Sequence, residues 1–344
     1  SAMFWDAHPY GWPVVGWASD LPMYTLQQAK DYFATYYAPN NITGVLVGDF
    51  KIGEIKPLLE RYFGRIPRGK VEPPPVVTLE PAALGEQRYS ASAETSPTVR
   101  IWWKGVPFVH KDAAALDLLS DILSGRTGRL YKGLVLGKQI ANAATASVDI
   151  RKYAGIFTLE SVVKEGKDPS AVEAGIDEEI AKLQREPLPA DELQKVKNQF
   201  KANAYRRLSS PFAIAVQLMV YDALGDWRYI NSAAEKADAV TPADIQRVTQ
   251  TYLTKENRTV GVFLRKESAA PADPAIAAMT PAAQAMVGQG LKQIEGETDV
   301  VKLSAGMDQM KAMSSQAPPE FLPGIVLLLK KAEERLALLE GGKK

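Results

Sequence analysis

Cysteine is absent from all 344 residues, which removes disulfides, thiolate metal sites, iron–sulfur clusters and cysteine nucleophiles together. Histidine is scarce: only His8 and His110 occur, and neither has a second histidine three or four residues along. No helical two-histidine metal site can therefore be built from this chain alone. An excess of one charge sign is also lacking, since 41 Lys and Arg face 40 Asp and Glu. Nucleic-acid binders normally gather a basic surplus on one face, so that class is set aside. Long apolar runs are missing as well. The longest near the C-terminus is Ile325 to Leu329, against the ~20 residues of a membrane helix, and no membrane span is expected. Ser1, Ala2 and Met3 read as a cloning remnant, and no secretory leader pattern follows them. What remains is a globular composition, 46% hydrophobic and 24% charged, long enough at ~150 residues per domain for about two domains.

Residues 25 to 38 place Leu26, Ala29, Tyr32, Phe33, Tyr36 and Tyr37 on one helical stripe, with Thr25 as N-cap. Pro39-Asn40-Asn41 breaks that helix, Ile42 to Val47 reads as a strand, and a second helix is predicted from about Ile52 to Phe63. Five prolines make Ile66 to Pro81 an extended linker. Strands then fit Tyr89 to Ala93 and Thr98 to Lys104, with a helix from Asp112 to Leu123 and a short glycine-punctuated helix around Leu130 to Leu136. Alternation at Ala141 to Ile150 and Gly155 to Val163 predicts a hairpin. Helical patterns follow at 169–185, 189–208, 211–224 and 242–253, and a last strand at 257–264. Residues 268 to 344 lack strand signals and are expected to form a few loosely attached helices, the last from about Pro323 to Leu339 and docked on its own domain. The fold class implied is a layered α+β or α/β one: a mixed, mostly antiparallel sheet with helices packed on it, plus a helical C-terminal tail.

One self-similarity stands out. Thr25, Thr35, Tyr36, Asn41 and Thr43 match Thr241, Thr251, Tyr252, Asn257 and Thr259 at a constant shift of 216, and both copies predict the same helix, break and strand. On this basis residues 1–66 are the end of a first homologous domain, 67–84 a Pro-rich linker, 85–267 a complete second domain and 268–344 the tail. Roughly 130 residues of the first copy are then expected to precede this chain. A strand at 42–47 without its sheet neighbours is an exposed edge, expected to be covered by docking on the second domain or by another chain.

Four segments carry a family resemblance: His8-Pro9-Tyr10-Gly11-Trp12-Pro13-Val14-Val15-Gly16-Trp17, Tyr36-Tyr37-Ala38-Pro39-Asn40-Asn41, Val45-Leu46-Val47-Gly48-Asp49-Phe50 and Tyr62-Phe63-Gly64-Arg65-Ile66-Pro67. They resemble the end of the first homologous domain of the pitrilysin/insulinase family of zinc metallopeptidases, nearest its bacterial processing-peptidase-like branch. Ser124-Gly125-Arg126-Thr127-Gly128-Arg129-Leu130-Tyr131 resembles the family's second domain. The resemblance implies two similar α/β domains closing around a chamber, and an H-x-x-E-H zinc site with a downstream Glu, all in the first domain. In that chemistry imidazoles and a carboxylate hold Zn²⁺ while the motif Glu deprotonates the attacking water. No cofactor is thus expected in this chain, and zinc only upstream of it.

In the second domain, Asp117-Leu118-Leu119-Ser120-Asp121 occupies the H-x-x-E-H positions without a histidine, and a solvated helix face is the usual fate of such a carboxylate pair. The family's second domain often supplies an Arg and a Tyr that bind substrate, and the register places them at Val135 and Asn142, where neither type is kept. Arg129 and Tyr131 are wrongly spaced for that role and read as packing at a helix start. His8 reads as part of an aromatic turn with Tyr10, Trp12 and Trp17, and His110 as a loop residue before a helix. The expectation is a non-catalytic C-terminal part of a zinc metalloendopeptidase, itself inactive, forming the substrate-chamber wall. Two alternatives stay open: an inactive core or partner subunit of a two-subunit processing-peptidase-like complex, and a protein-interaction module using the tail. Expected partners are a peptide or unfolded protein substrate and a homologous subunit or second copy. Compartment stays open between bacterial periplasm and cytoplasm.

Overall fold

The computed structural model describes residues 3–266, 274–314 and 317–341. The chain divides into two compact units, Ser1–Arg265 and Lys266–Lys344. Within the first unit, α1 (Leu26–Tyr36) and α2 (Ile52–Phe63) precede a sheet built from β1 (Gln87–Ala93), β2 (Thr98–Gly105), β3 (Ala141–Ile150), β4 (Gly155–Val163) and β5 (Arg258–Arg265). Between the strands run α3 (Ala113–Leu123), a π-helical turn Tyr131–Gly137, α4 (Pro169–Arg185), α5 (Ala190–Arg207), α6 (Pro211–Leu224), α7 (Tyr229–Ala239) and α8 (Pro242–Tyr252). The strand order is β1-β5-β2-β4-β3. All pairings are antiparallel except β1 with β5, so the last strand enters between the first two.

Alternation explains which face is buried. Along β2 and β4 every second side chain is buried, including Val99, Ile101, Trp103, Phe157 and Leu159, and these meet Leu116 and Leu119 of α3, Val172 and Ile176 of α4, and Ile245 and Val248 of α8 in one core. Trp103 is buried with its indole Nε1–H donated to the Thr254 carbonyl at 2.9 Å, which satisfies the one polar atom that ring brings inside.

The repeat at a shift of 216 has a structural counterpart. α1 and α8 cover equivalent positions, and each starts on a capping box, Thr25 with Gln28 and Thr241 with Asp244. Each ends with an asparagine amide donating to the carbonyl of the helix's last tyrosine, Asn41 to Tyr36 at 2.9 Å and Asn257 to Tyr252 at 2.8 Å. The strands that should follow behave differently. Residues 258–265 are β5, but Ile42 to Val47 forms no strand, correcting the sequence expectation. A strand exists only through ladder partners; β5 has β1 and β2 beside it, and at the same shift those two have no counterparts within this chain. Neither α1 nor α2 has a buried residue, so these two helices do not share the core beneath the sheet, and Leu26, Phe33 and Tyr37 stay more than half exposed. A second departure is α7, which the periodicity did not predict: it buries only Ala233 and Ala237, too small to draw an apolar stripe.

One ion cluster ties β5 to the rest. The Arg258 guanidinium, 4% exposed, donates to Glu86 at 2.5 Å, Asp177 at 2.6 Å and Glu173 at 3.1 Å, and Arg88 joins Glu86 and Glu173 at 2.7 Å each. The residue just before β1, β1 itself, α4 and β5 are joined by this cluster. In the second unit, α9 (Pro274–Ala277), α10 (Pro281–Gly296), α11 (Val300–Ser314) and α12 (Leu322–Gly341) have a core of their own, with Val287, Ile294, Leu303, Met307, Leu328 and Ala332. Gly290 and Gly324 lie where a Cβ would collide with Leu328 and Val287, so α12 approaches α10 closely. Among the described residues no helix is long and apolar enough to cross a membrane.

Removing Arg258 would leave three carboxylates close together without their shared cation. Arg258→Met is expected to cost about 3–5 kcal/mol of stability, the range for breaking one side of a buried ion network. Urea denaturation followed by circular dichroism measures this, and a loss below about 1 kcal/mol would count against the cluster as a tie.

Candidate functional site

α3 carries the sequence-matched helix positions. Asp117 is half-buried and Asp121, one turn on, is exposed. Burial pushes the Asp117 carboxyl up to about 6, the Asp121 charge adds to that, and Arg207 opposes it. Over the same helix lies an aromatic cluster: Phe108 to Tyr229 at 4.6 Å, Tyr221 to Tyr229 at 5.0 Å and Phe108 to Tyr221 at 5.8 Å between ring centroids. Burial, then the neighbouring Asp117 and Tyr221, push the Tyr229 phenol up to about 12. Asp117 is therefore not on a fully solvated face, as its sequence setting suggested, but part of a charged and aromatic site beside α6 and α7. The tyrosines escaped the sequence reading because they lie more than 100 residues from Asp117.

This site does not fit zinc. Two carboxylates without an imidazole are a donor set for a hard cation. Among the described residues no group of three His, Cys, Asp or Glu is placed to hold a metal ion.

The start of α3 is fixed by Asp112. Its buried carboxylate accepts from Arg247 and from the Tyr252 hydroxyl, both at 2.7 Å, and so is not free to cap its own helix. His110 accepts the Asp112 backbone N–H at 3.1 Å, the local loop role expected of it. His110 also lines a cavity of about 320 Å³ with Lys111, Tyr229, Lys236 and Arg247.

The positions that the sequence register assigns to the family's Arg and Tyr, Val135 and Asn142, fall on irregular backbone. Val135 lies in the π-helical turn, half-buried against the main core, and Asn142 is the exposed extra residue of a β-bulge at the start of β3. Between them Gln139 has φ of 52°, a left-handed conformation that is unusual for a residue with a side chain. π-turns, bulges and such outliers gather at functional sites. Arg129 is committed elsewhere, to a two-pronged pair with Glu192 at 2.9 and 2.7 Å, and this supports its packing role. Two glycines let the π-turn lie on α4: a Cβ at Gly175 would stand 2.4 Å from Leu134, and one at Gly133 would stand 2.9 Å from Glu179.

His8 sits in an aromatic turn. Its Nδ1 accepts the Tyr10 N–H at 3.1 Å, and its ring lies 4.1 Å from Tyr10 and 5.9 Å from Trp5 between centroids. Burial lowers its pKa, partly offset by Glu80. Glu80, in the linker, is the anchor: its carboxylate accepts the backbone N–H groups of Asp6, Ala7 and His8 at 2.9, 3.2 and 2.9 Å, and Lys104 of β2 lies at 2.6 Å. Successive N–H groups wrapped on one carboxylate form an anion nest. Burial alone would raise the Glu80 pKa, but these donors hold it down at about 2.

Two pH signatures follow. The folded Asp117 keeps its proton to higher pH than the unfolded chain, so ionising it costs stability. Asp117→Asn is expected to raise the thermal midpoint near neutral pH by about 2–4 °C, a gap that closes below about pH 4. Glu80 has the opposite sign. Its contribution is present above the ordinary value of 4.5 and is lost as pH falls towards about 2, so the deficit of Glu80→Gln at neutral pH should vanish in acid. Thermal melts of both variants across pH test the pair, and a pH-independent difference in either would contradict its assignment.

The family model described as the peptidase M16 inactive domain matches residues 24–200. The zinc protease PqqE of Helicobacter pylori is 26% identical over 267 residues, covering 75% of this chain and 59% of that protein. The crystal structure of a protease from Helicobacter pylori matches with a TM-score of 0.72 at 23% identity, covering 76% of this chain and 64% of that one. A chain of complex III2 from Candida albicans has a similar fold, with a TM-score of 0.62 at 15% identity over 76% of this chain and 65% of its own. The chain thus spans less than two thirds of the length of each of these proteins.

Proposed function

Because this chain belongs to the peptidase M16 family through its inactive domain, a domain homologous to zinc proteases that typically lacks the zinc site, we propose that it is the non-catalytic part of a zinc metalloendopeptidase. In this reading it forms one wall of the chamber in which a peptide or unfolded protein is held, while zinc and its ligands come from a homologous half outside this chain. The observation that carries the reading is α3, which has Asp117 and Asp121 where the metal helix of the family needs imidazoles. The irregular backbone at Val135, Gln139 and Asn142 supports a substrate-facing role for that stretch, through shape and the exposed Asn142 amide instead of a cationic side chain.

The exposed first copy favours a homologous partner. Leu26, Tyr32, Phe33, Tyr37, Leu46 and Phe50 are exposed, and residues 42–47 offer unpaired backbone, the two features that a missing set of strands and helices would cover. In a second copy β5 already fills the place between β1 and β2, so the outer edges of β1 and β3 are what it would present to this segment.

The purified chain alone is expected to show no chelator-sensitive peptide cleavage. Mixed with a homologous half carrying H-x-x-E-H, it should restore cleavage of an unfolded protein, and Asn142→Ala should raise KM about threefold to tenfold with kcat little changed. Cleavage by the chain alone that a chelator abolishes would sink the proposal, as would a zinc-bearing half that is fully active without it.

A further inference from the structure

The sheet face opposite α3, α4 and α8 carries a surface that the proteolytic reading does not use. Alternate residues of β1, β2 and β5 bring Tyr89, Trp102 and Phe263 together there, all half-buried. Tyr89 stands opposite Gly261 in the parallel ladder, and Arg100 stands opposite the same glycine from the other side. A Cβ at Gly261 would lie 2.7 Å from the Tyr89 ring and 2.9 Å from Trp102. Its absence lets the two rings lie nearly parallel over the glycine, 16° apart with centroids at 5.9 Å, while Phe263 meets Tyr89 edge-on at 5.7 Å. Arg100 spreads over Trp102 at 5.8 Å and Phe263 at 5.9 Å and pairs with Glu160, leaving its buried Nε–H without an acceptor. The result is an aromatic pavement, two rings nearly parallel and one edge-on, bordered by an arginine paired with Glu160 whose buried Nε–H has no acceptor.

The same face already holds a peptide. Phe4 and Trp5, 5% and 6% exposed, form one apolar cluster with Trp102 and Ile156, and Asp6 pairs with Lys104 at 2.6 Å. Lys104 and Arg100 both lie two residues from Trp102 along β2, on its two sides and on one face of the strand. The seat filled by Phe4-Trp5-Asp6 is therefore continuous with the open pavement and has the same plan, rings beside a basic residue.

We propose that Tyr89, Trp102, Phe263 and Arg100 form a binding surface for an extended polypeptide segment bearing aromatic side chains next to a carboxylate. Aromatic rings offset-stack on the pavement, and the carboxylate answers Arg100 as Asp6 answers Lys104. The proposal rests on the sheet face and stands or falls apart from the role in proteolysis.

Fluorescence anisotropy with the full chain tests it, using a dye-labelled peptide copying residues 3–10, the same peptide with lysine in place of its aspartate, and a Gly/Ser peptide of equal length. Saturable binding of the first is expected, weakened about tenfold by the lysine peptide, by Arg100→Gln and by Tyr89→Ala with Phe263→Ala. The Gly/Ser peptide should not bind. If circular dichroism shows the double variant unfolded, Phe263→Leu keeps the strand apolar and should weaken binding about threefold. Phe4→Ala, which thins the neighbouring seat, should leave affinity within about twofold. No saturable binding, equal affinity in the folded pavement variants, or a loss confined to Phe4→Ala would overturn the proposal. Self-association of the chain that Tyr89→Ala abolishes would also overturn it, by giving the face to a second copy.

Discussion

The sheet and the core beneath it depend on the last strand entering the middle of the sheet. β5 lies between β1 and β2, so the sheet's two ends stay unconnected until residues 258–265 arrive from the far end of the domain. The pairing is parallel on one side and antiparallel on the other, and its contacts span more than 150 residues. Such non-local pairing must overcome loop-closure entropy before it is rewarded. Arg258 stands at the strand's first position and gathers carboxylates from Glu86, just before β1, and from α4, which fixes the register at the point of entry. Asn257, just before it, donates to both the Tyr252 and Lys104 carbonyls and so orients the turn from α8 into the sheet.

Three charged groups in this unit join elements distant in sequence. Asp112 binds α3 to α8 through Arg247 and Tyr252, Glu80 binds the linker to residues 6–8 and to β2, and Arg258 binds β5 to α4. In each case several donors meet one acceptor, or several acceptors one donor, as partial desolvation of a charge requires. Asp117 is the contrast. Its environment raises its pKa, so ionising it costs stability.

Much of the fold is legible in the sequence because its strands alternate and its helices are capped by recognisable residues. The hairpin of β3 and β4 falls where alternation predicts it, and Thr25 and Thr241 start their helices as N-caps should. Legibility ends where structure depends on something outside the window being read. Ile42 to Val47 has strand residues but no ladder, α7 is held by two alanines, and the π-turn at 131–137 depends on glycines that let α4 approach. The site divides in the same way. The Asp117–Asp121 spacing can be read along the helix, whereas its tyrosines, and the glycine that flattens Tyr89 against Trp102, come together only through tertiary packing.

The local likeness of α1 and α8 has a kinetic meaning. The first copy keeps its capping box and its asparagine lock with no core beneath it, so these bonds are formed by the segment itself. A segment already ordered this far loses less conformational entropy on meeting a complementary sheet than a random coil would. What is left to settle on encounter is the register of a single strand, residues 42–47. Association of such a segment with a complementary sheet is closer to docking than to folding, and its rate would follow concentration before the speed of the chain.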